Sequence, residues 1–245
     1  MGRVVLITGG TGVIAQATAR AFAGEGATVV LAGRDADSLA KAVAAVGDPA
    51  SAVVADVTVA ADAARMVETV VSRYGRLDVA VNNAGTLGRP GMVGELDEAV
   101  WREVLDVNLT GVFLSMRAEI AAMLEAGGGA IVNMASNIGS HGRRPGLSAY
   151  AASKAGVSVL TRTAAREYIG SGIRINAVSP GASDTPMSFR PGESRADRDA
   201  RVREGVPFGR VSDPSEVASA VLWLASDDAR YVVGHDLVID GGTTA

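Results

Sequence analysis

Seven short apolar runs, rich in β-branched residues, recur along the chain at 4–7, 28–31, 51–55, 77–81, 130–134, 173–178 and 237–239. Between them lie longer segments of helical period, including 16–23, 36–46, 60–73, 101–124, 150–169 and 214–225. Runs such as 4–7 are continuously apolar rather than alternating. Such strands have both faces buried, which requires a parallel sheet covered on both sides. Strict alternation of strand and helix then implies right-handed crossovers. The expected fold is therefore an α/β, doubly wound, parallel seven-stranded sheet with helices on both faces. No Pro/Gly/Ser-rich linker divides residues 1–245, so one domain is expected. Aromatics make up only 4% of residues, so Val, Ala, Leu and Ile must fill the core.

Several function classes are excluded at this stage. The chain has no cysteine, which removes disulfides, thiolate nucleophiles and zinc–thiolate sites, and no metal site is expected. A net charge of −4 gives no basic surface for nucleic acid. No uninterrupted apolar run approaches the roughly 18 residues of a membrane helix. The first strand begins too early to leave room for a signal peptide, so a cytoplasmic location is expected. One irregular stretch, 184–207, is rich in Arg and Asp and carries Pro186, Pro191 and Pro207. Long insertions of this kind often serve as substrate lids.

The first strand runs into "TGGTGVIAQA", with glycines at 9, 10 and 12. Gly9 suits a tight turn of positive φ. A helix opening near Gly12 would direct free N–H groups at a pyrophosphate. The second strand ends in Gly33 and Arg34, where dinucleotide domains often place a carboxylate for the ribose 2′-OH. Without that carboxylate, a guanidinium can pair with a 2′-phosphate, which favours NADP over NAD.

The sharpest signal is "YAASK". Tyr150 and Lys154 are four residues apart and share a helix face. An ammonium beside a phenol favours phenolate, which would bring the tyrosine towards working pH as a general acid or base. Ser136 ends the strand before this helix, where open α/β sheets bind ligands, and its hydroxyl can hold a substrate oxygen.

Taken together, these segments resemble the short-chain dehydrogenase/reductase family, in its compact single-domain, 3-oxoacyl-carrier-protein-reductase-like form. The resemblance runs nearly end to end through "TGGTG", "DV" at 56–57, "NNAG" at 82–85, "NLTG" from Asn108, Ser136, "YAASK", "SPG" at 179–181, Thr185 and "VIDGG". It implies a Rossmann-type fold and a catalytic tetrad of Asn108, Ser136, Tyr150 and Lys154, with Asn108 anchoring a water at a helix kink. It also implies cofactor contacts from Gly9, Thr11, Gly12, Val13, Ile14, Arg34, Asp56, Val57, Asn83, Ala84, Gly85, Tyr150, Lys154, Pro180, Gly181, Ser183 and Thr185. The expected activity is an NADP-preferring interconversion of a ketone and a secondary alcohol, and the expected assembly is a homotetramer. The alternatives are an NAD-linked sugar or alcohol dehydrogenase and a non-catalytic nucleotide sensor. Two departures from the family pattern stand out. Val13 and Ala15 occupy two glycine positions, and the Ser136-to-Tyr150 spacing is one residue longer than is commonest. His141, Arg143 and Arg144 lie where the resemblance puts the pocket rim.

Overall fold

A computed structural model describes residues 2–245. It contains a seven-stranded sheet in the order β3-β2-β1-β4-β5-β6-β7. The strands are β1 (Val4–Thr8), β2 (Thr28–Gly33), β3 (Ala50–Val54), β4 (Val79–Asn82), β5 (Gly129–Met134), β6 (Ile173–Pro180) and β7 (Asp236–Ile239). Every pairing is parallel. The strand order reverses between β1 and β4, so their carboxyl ends diverge and open a crevice.

Alternate strand residues feed two cores. Val4, Leu6, Ala80, Ile131 and Ile175 face α3 (Ala60–Tyr74), α5 (Gly111–Ala126) and α6 (Ser148–Tyr168). Val5, Ile7, Val29, Leu31, Val81 and Val178 face α1 (Val13–Gly24), α2 (Ala36–Val46) and α8 (Pro214–Ala225). The inner strands β1 and β2 are apolar on both sides for a geometric reason: their side chains alternate between two buried layers. The other two helices are α4 (Glu98–Leu105) and α7 (Arg195–Gly205), the latter lying within the 184–207 stretch.

Residues 101–124 read as one helix in the sequence. The structure instead has α4, a π-helical turn over Asp106–Thr110 and α5. The three run on as a continuous 29-residue helix, Glu98–Ala126, with a mean hydropathy of 1.3 in its most apolar window. Among the described residues it is the one helix long and apolar enough to cross a bilayer, yet half of that window is buried inside the fold. Its apolarity is that of a helix packed against the sheet, with Val112, Met116, Ile120 and Met123 in the core.

One polar cluster sits inside that layer. The Asn82 amide donates to Glu119 at 2.9 Å and to Asn133 at 3.0 Å, and Asn133 donates to Thr161 at 2.9 Å. Glu119 is wholly buried, and its other carboxyl oxygen has no partner. Burial pushes its pKa up to about 8, partly offset by the Asn82 bond. The folded state therefore holds a proton that the unfolded chain releases above its ordinary value near 4.5. Stability from this group falls as pH rises from about 4.5 to about 8. Glu119→Gln has no such proton to lose. It should gain on the wild type by roughly 3 kcal/mol between pH 5 and pH 8, since each tenfold change in proton affinity is worth about 1.4 kcal/mol. Melting curves at the two pH values read this directly, and a gap that does not widen with pH would contradict it.

Candidate active site

The β1–α1 turn is shaped for a phosphate. Gly9 has φ +64°, and a Cβ there would lie 2.8 Å from Ala84 Cα, so only glycine lets the turn meet the β4 loop. Gly12 is the N-cap of α1 and lacks a side-chain cap. The first amides of α1 therefore have no partner from a capping side chain. The two unusual residues resolve by direction. Val13 is 39% exposed and points outwards, while Ala15 is fully buried in the core beside β1. Neither side chain closes the turn. Thr11 is exposed, and its carbonyl accepts from Gln16 at 3.0 Å.

"NNAG" ties this turn to β4. The Thr8 hydroxyl accepts from the Asn83 and Ala84 amides at 3.1 and 3.2 Å, and the Asn83 side chain donates to the carbonyls of Thr8 and Gly9. Further along the carboxyl edge, the Gly10 amide bonds Ala32 and the Ala55 amide bonds Gly33. Arg34, Asp56 and Val57 therefore follow the ends of β2 and β3 on the same side as the turn. Arg34 is exposed, with no ion pair or hydrogen bond among the described residues. Asp35, its acidic neighbour, is occupied as the N-cap of α2, accepting from Ser38 at 2.8 Å. Hydrogen bonds from Ser38 hold its carboxyl below the usual range. The Asp56 carboxylate accepts from the Thr58 amide and hydroxyl at 2.9 and 2.7 Å. Val57 packs over Gly111, at the start of α5.

The crevice itself is a cleft of about 460 Å³. It is lined by Ile14, Asn83, Gly85, Ser136, Tyr150, Lys154, Pro180, Gly181, Ser183 and Thr185, all expected at the site. Asn108 is fully buried beneath it, in the π turn. Such bulges slip the hydrogen-bond ladder by one residue, which here turns Asn108 towards the β4 loop. Its Oδ1 accepts from Thr86 N at 2.7 Å, and its amide donates to Thr86 O at 2.9 Å and Ser153 Oγ at 3.0 Å. Both amide hydrogens are thus used in clasping the loop to α6. A Cβ on Gly85 would sit 3.3 Å from Asn108 Oδ1 and 3.5 Å from Lys154 Nζ, so Gly85 closes over both.

Lys154 donates to the Met134 carbonyl at 2.6 Å and lies 5.9 Å from the Tyr150 ring centre. Burial lowers its pKa to about 8. Tyr150 departs from the sequence expectation. Its phenol is raised above the ordinary value by burial, partly offset by the nearby Ser136 hydroxyl, and Lys154 does not bring it down. The reason is distance and dryness: the ammonium is anchored on Met134, and desolvation outweighs its pull on the ring. In this form the phenol is a proton donor.

Sequence reasoning missed part of the lining. Leu87, Asn137, Ile138, Leu147, Met187, Arg201, Val206, Thr243 and Thr244 also face the cleft. Thr243 and Thr244 arrive through hydrogen bonds to Asp240, which also accepts from Asn137 at 3.2 Å. Asp236 is a second tether, accepting from Ser158 and Ser179 at 2.6 Å each and pairing with His141 at 2.9 Å. His141 is therefore a fastener of the β5–α6 loop rather than a pocket-rim side chain. The "DGG" at 240–242 was the only sequence mark of this corner.

Residues 10–244 match the family model described as "Enoyl-(Acyl carrier protein) reductase". The cis-4-hydroxycyclohexanecarboxylate dehydrogenase of Sinomonas cyclohexanicum is 44% identical, over 99% of this chain and 97% of that one. The chain belongs to the short-chain dehydrogenase/reductase family. A second short-chain dehydrogenase/reductase relative, the 3-oxoacyl-[acyl-carrier-protein] reductase of Thermotoga maritima, is 42% identical over 98% of this chain and 97% of its own length. Among solved structures, levodione reductase superposes with a TM-score of 0.94 at 38% identity, covering 99% of this chain and 97% of that one. An actinorhodin polyketide ketoreductase variant with NADPH gives a TM-score of 0.94 at 36% identity over the same shares. The family membership and the shape of the turn agree: the residues present fit a nicotinamide dinucleotide.

Proposed function

We propose that this protein is an NADPH-preferring oxidoreductase that interconverts a ketone and a secondary alcohol, with Tyr150 as the proton donor and acceptor. The observation that carries the reading is the convergence of Ser136, Tyr150 and Lys154 in one cleft beside Gly85. The family and its hydroxy- and keto-acting relatives support an NAD(P)-dependent reaction of this class.

Gly9, Thr11, Gly12 and the first amides of α1 would hold the pyrophosphate, and Val57 would flank the adenine. Pro180, Gly181, Ser183 and Thr185 would meet the nicotinamide end. The bound nicotinamide supplies or accepts the hydride. Ser136 holds the substrate oxygen and Tyr150 transfers the proton to or from it. Lys154 has two donors left after Met134, enough to bind a ribose hydroxyl and keep the tyrosine in register. Asn108 positions the Thr86 and Gly85 backbone, since its amide hydrogens are already used. The 184–207 segment acts as a lid, with Met187, Ser188, Arg201 and Val206 facing the cleft. Buried Arg198 joins α7 to Asp184 at 2.6 Å and stacks on Phe189, which ties the start of the segment to its helix.

The 2′-phosphate falls to Arg34, which is free of any partner among the described residues. Arg34→Asp should shift the ratio of kcat/KM for NADPH over NADH by about 10- to 100-fold towards NADH, the range of a lost charge-assisted bond. Steady-state kinetics with both cofactors test this, and an unchanged ratio would favour the NAD-linked alternative. The assembly we propose is a homo-oligomer located in the cytoplasm. Exposed Phe113 and Leu124 on α5 and Val159 on α6 offer it an apolar face.

The reaction itself is tested by following NADPH absorbance over a panel of cyclic and acyclic ketones. The panel includes 4-oxocyclohexanecarboxylate, prompted by the relative in Sinomonas cyclohexanicum. No oxidation of NADPH across the panel would remove the reading.

A further inference from the structure

The cleft carries charge of one sign. Four cationic side chains line it, Arg143, Arg144, Lys154 and Arg201, and no carboxylate does. This runs against a chain whose net charge is −4. Three of the four are already engaged. Lys154 is bonded to Met134, and Arg143 to the carbonyls of Gly139 and Gly142. Arg201 forms a two-point pair with Glu193 at 2.6 and 2.7 Å and also bonds Ser188 O.

The Arg144 side chain has no hydrogen-bond or ion-pair partner among the described residues. Arg190 and Arg201 repel its charge, and Glu193 attracts it. Glu193 is already held by Arg201 and the Arg190 amide. Arg144 is solvent-exposed, so in the free protein water holds its guanidinium, and a carboxylate entering the cleft can replace that water with a charge-assisted, two-point contact. The Arg144 loop is fixed on both sides: the Gly142 amide bonds Asn137 O at 2.6 Å, and Gly146 O accepts from the Gly91 amide at 3.0 Å. Arg144 and Arg201 come from the β5–α6 loop and α7, not from the phosphate turn. The nicotinamide end of the cofactor has no negative group to meet them.

We infer that Arg144 is an anchor for a carboxylate on the substrate, so that the preferred substrates are keto or hydroxy acids whose acid group lies at the cleft mouth while the reacting carbon lies beside Tyr150. Arg201 is neutralised by its two-point pair with Glu193, which leaves Arg144 as the uncommitted cation of the lining. The inference rests on the oxidoreductase reading for the identity of the ligand as substrate, but the anchor itself is a binding property that can be measured without turnover.

Calorimetry on the NADPH-loaded protein, with cyclohexanecarboxylate and cyclohexanecarboxamide as probes, tests the anchor. The carboxylate should bind at least about tenfold more tightly than the amide, as a charge-assisted bidentate contact requires. Arg144→Gln should bring the two within about twofold, Arg144→Lys should keep part of the preference, and added salt should weaken only the carboxylate. Equal affinities in the wild type, binding of neither probe, or a full preference surviving in a folded Arg144→Gln variant would each overturn the anchor. The two readings fail separately: an intact carboxylate preference without NADPH oxidation in the ketone panel would count against the reaction alone.

Discussion

Tyr150→Phe should lower kcat by about 10²- to 10⁴-fold, the range supplied by a positioned general acid or base, while leaving cofactor affinity within about twofold. The change deletes one oxygen from a ring that stays packed against Val104, Leu147 and Ala149. The fold keeps its contacts, and NADPH keeps its donors from the turn and Lys154. Only the proton transfer is lost. Stopped-flow reduction of a ketone, paired with NADPH titration by fluorescence, separates the two quantities. A variant that still turned over at a tenth of the wild-type rate would remove Tyr150 from the chemistry. Because burial raises the phenol rather than lowering it, reduction should not be lost at acid pH through this group.

Lys154→Met should be nearly as damaging, and in a different pattern. Methionine fills a similar volume but donates nothing to Met134 or to a ribose hydroxyl. We expect kcat/KM to fall about 10²-fold or more, from a lost charged donor and a misplaced cofactor, with the KM for NADPH rising as well. The pH profile should change too. Lys154 titrates near pH 8 in the folded protein, below its ordinary value of 10.5. Between those values the unfolded chain holds the proton that the folded one has released, so this group makes stability rise with pH from about 8 to about 10.5. The methionine variant should lack that rise. Steady-state kinetics and melting curves at pH 7 and pH 9.5 check both parts, and an unaltered KM for NADPH would place Lys154 outside the cofactor site.

How far these residues could be read from sequence depended on whether the signal was local. The sheet was legible because two-sided burial leaves a mark on each strand separately. Tyr150 and Lys154 were legible because a helix fixes their spacing. Their electrostatic relation was not, since spacing says nothing of the carbonyl at Met134 or of the dryness of the site. The break at Asn108 was expected from the family resemblance and not from composition: one slipped hydrogen bond at Asp106–Thr110 needs no special residue. Val13 and Ala15 looked like defects in a glycine motif, and only the direction of each side chain shows why both are tolerated. The 184–207 stretch was legible as a lid and "DGG" marked the last turn, but which side chains of each reach the cleft, Arg201, Thr243 and Thr244, depends on the partners that hold them, Glu193 and Asp240, and spacing does not show those.

The tethers from β7 and the turn that follows it join partners 95 and 103 residues apart, His141 to Asp236 and Asn137 to Asp240. They fasten the loop that carries Ser136 and leads into Tyr150 to the outermost strand of the sheet. Contacts so distant in sequence carry a larger loop-closure cost than the local helices do. Competence in this protein is therefore a property of the finished sheet: a chain with six strands docked could bind a nucleotide at its opening turn, yet would hold its serine on an untied loop.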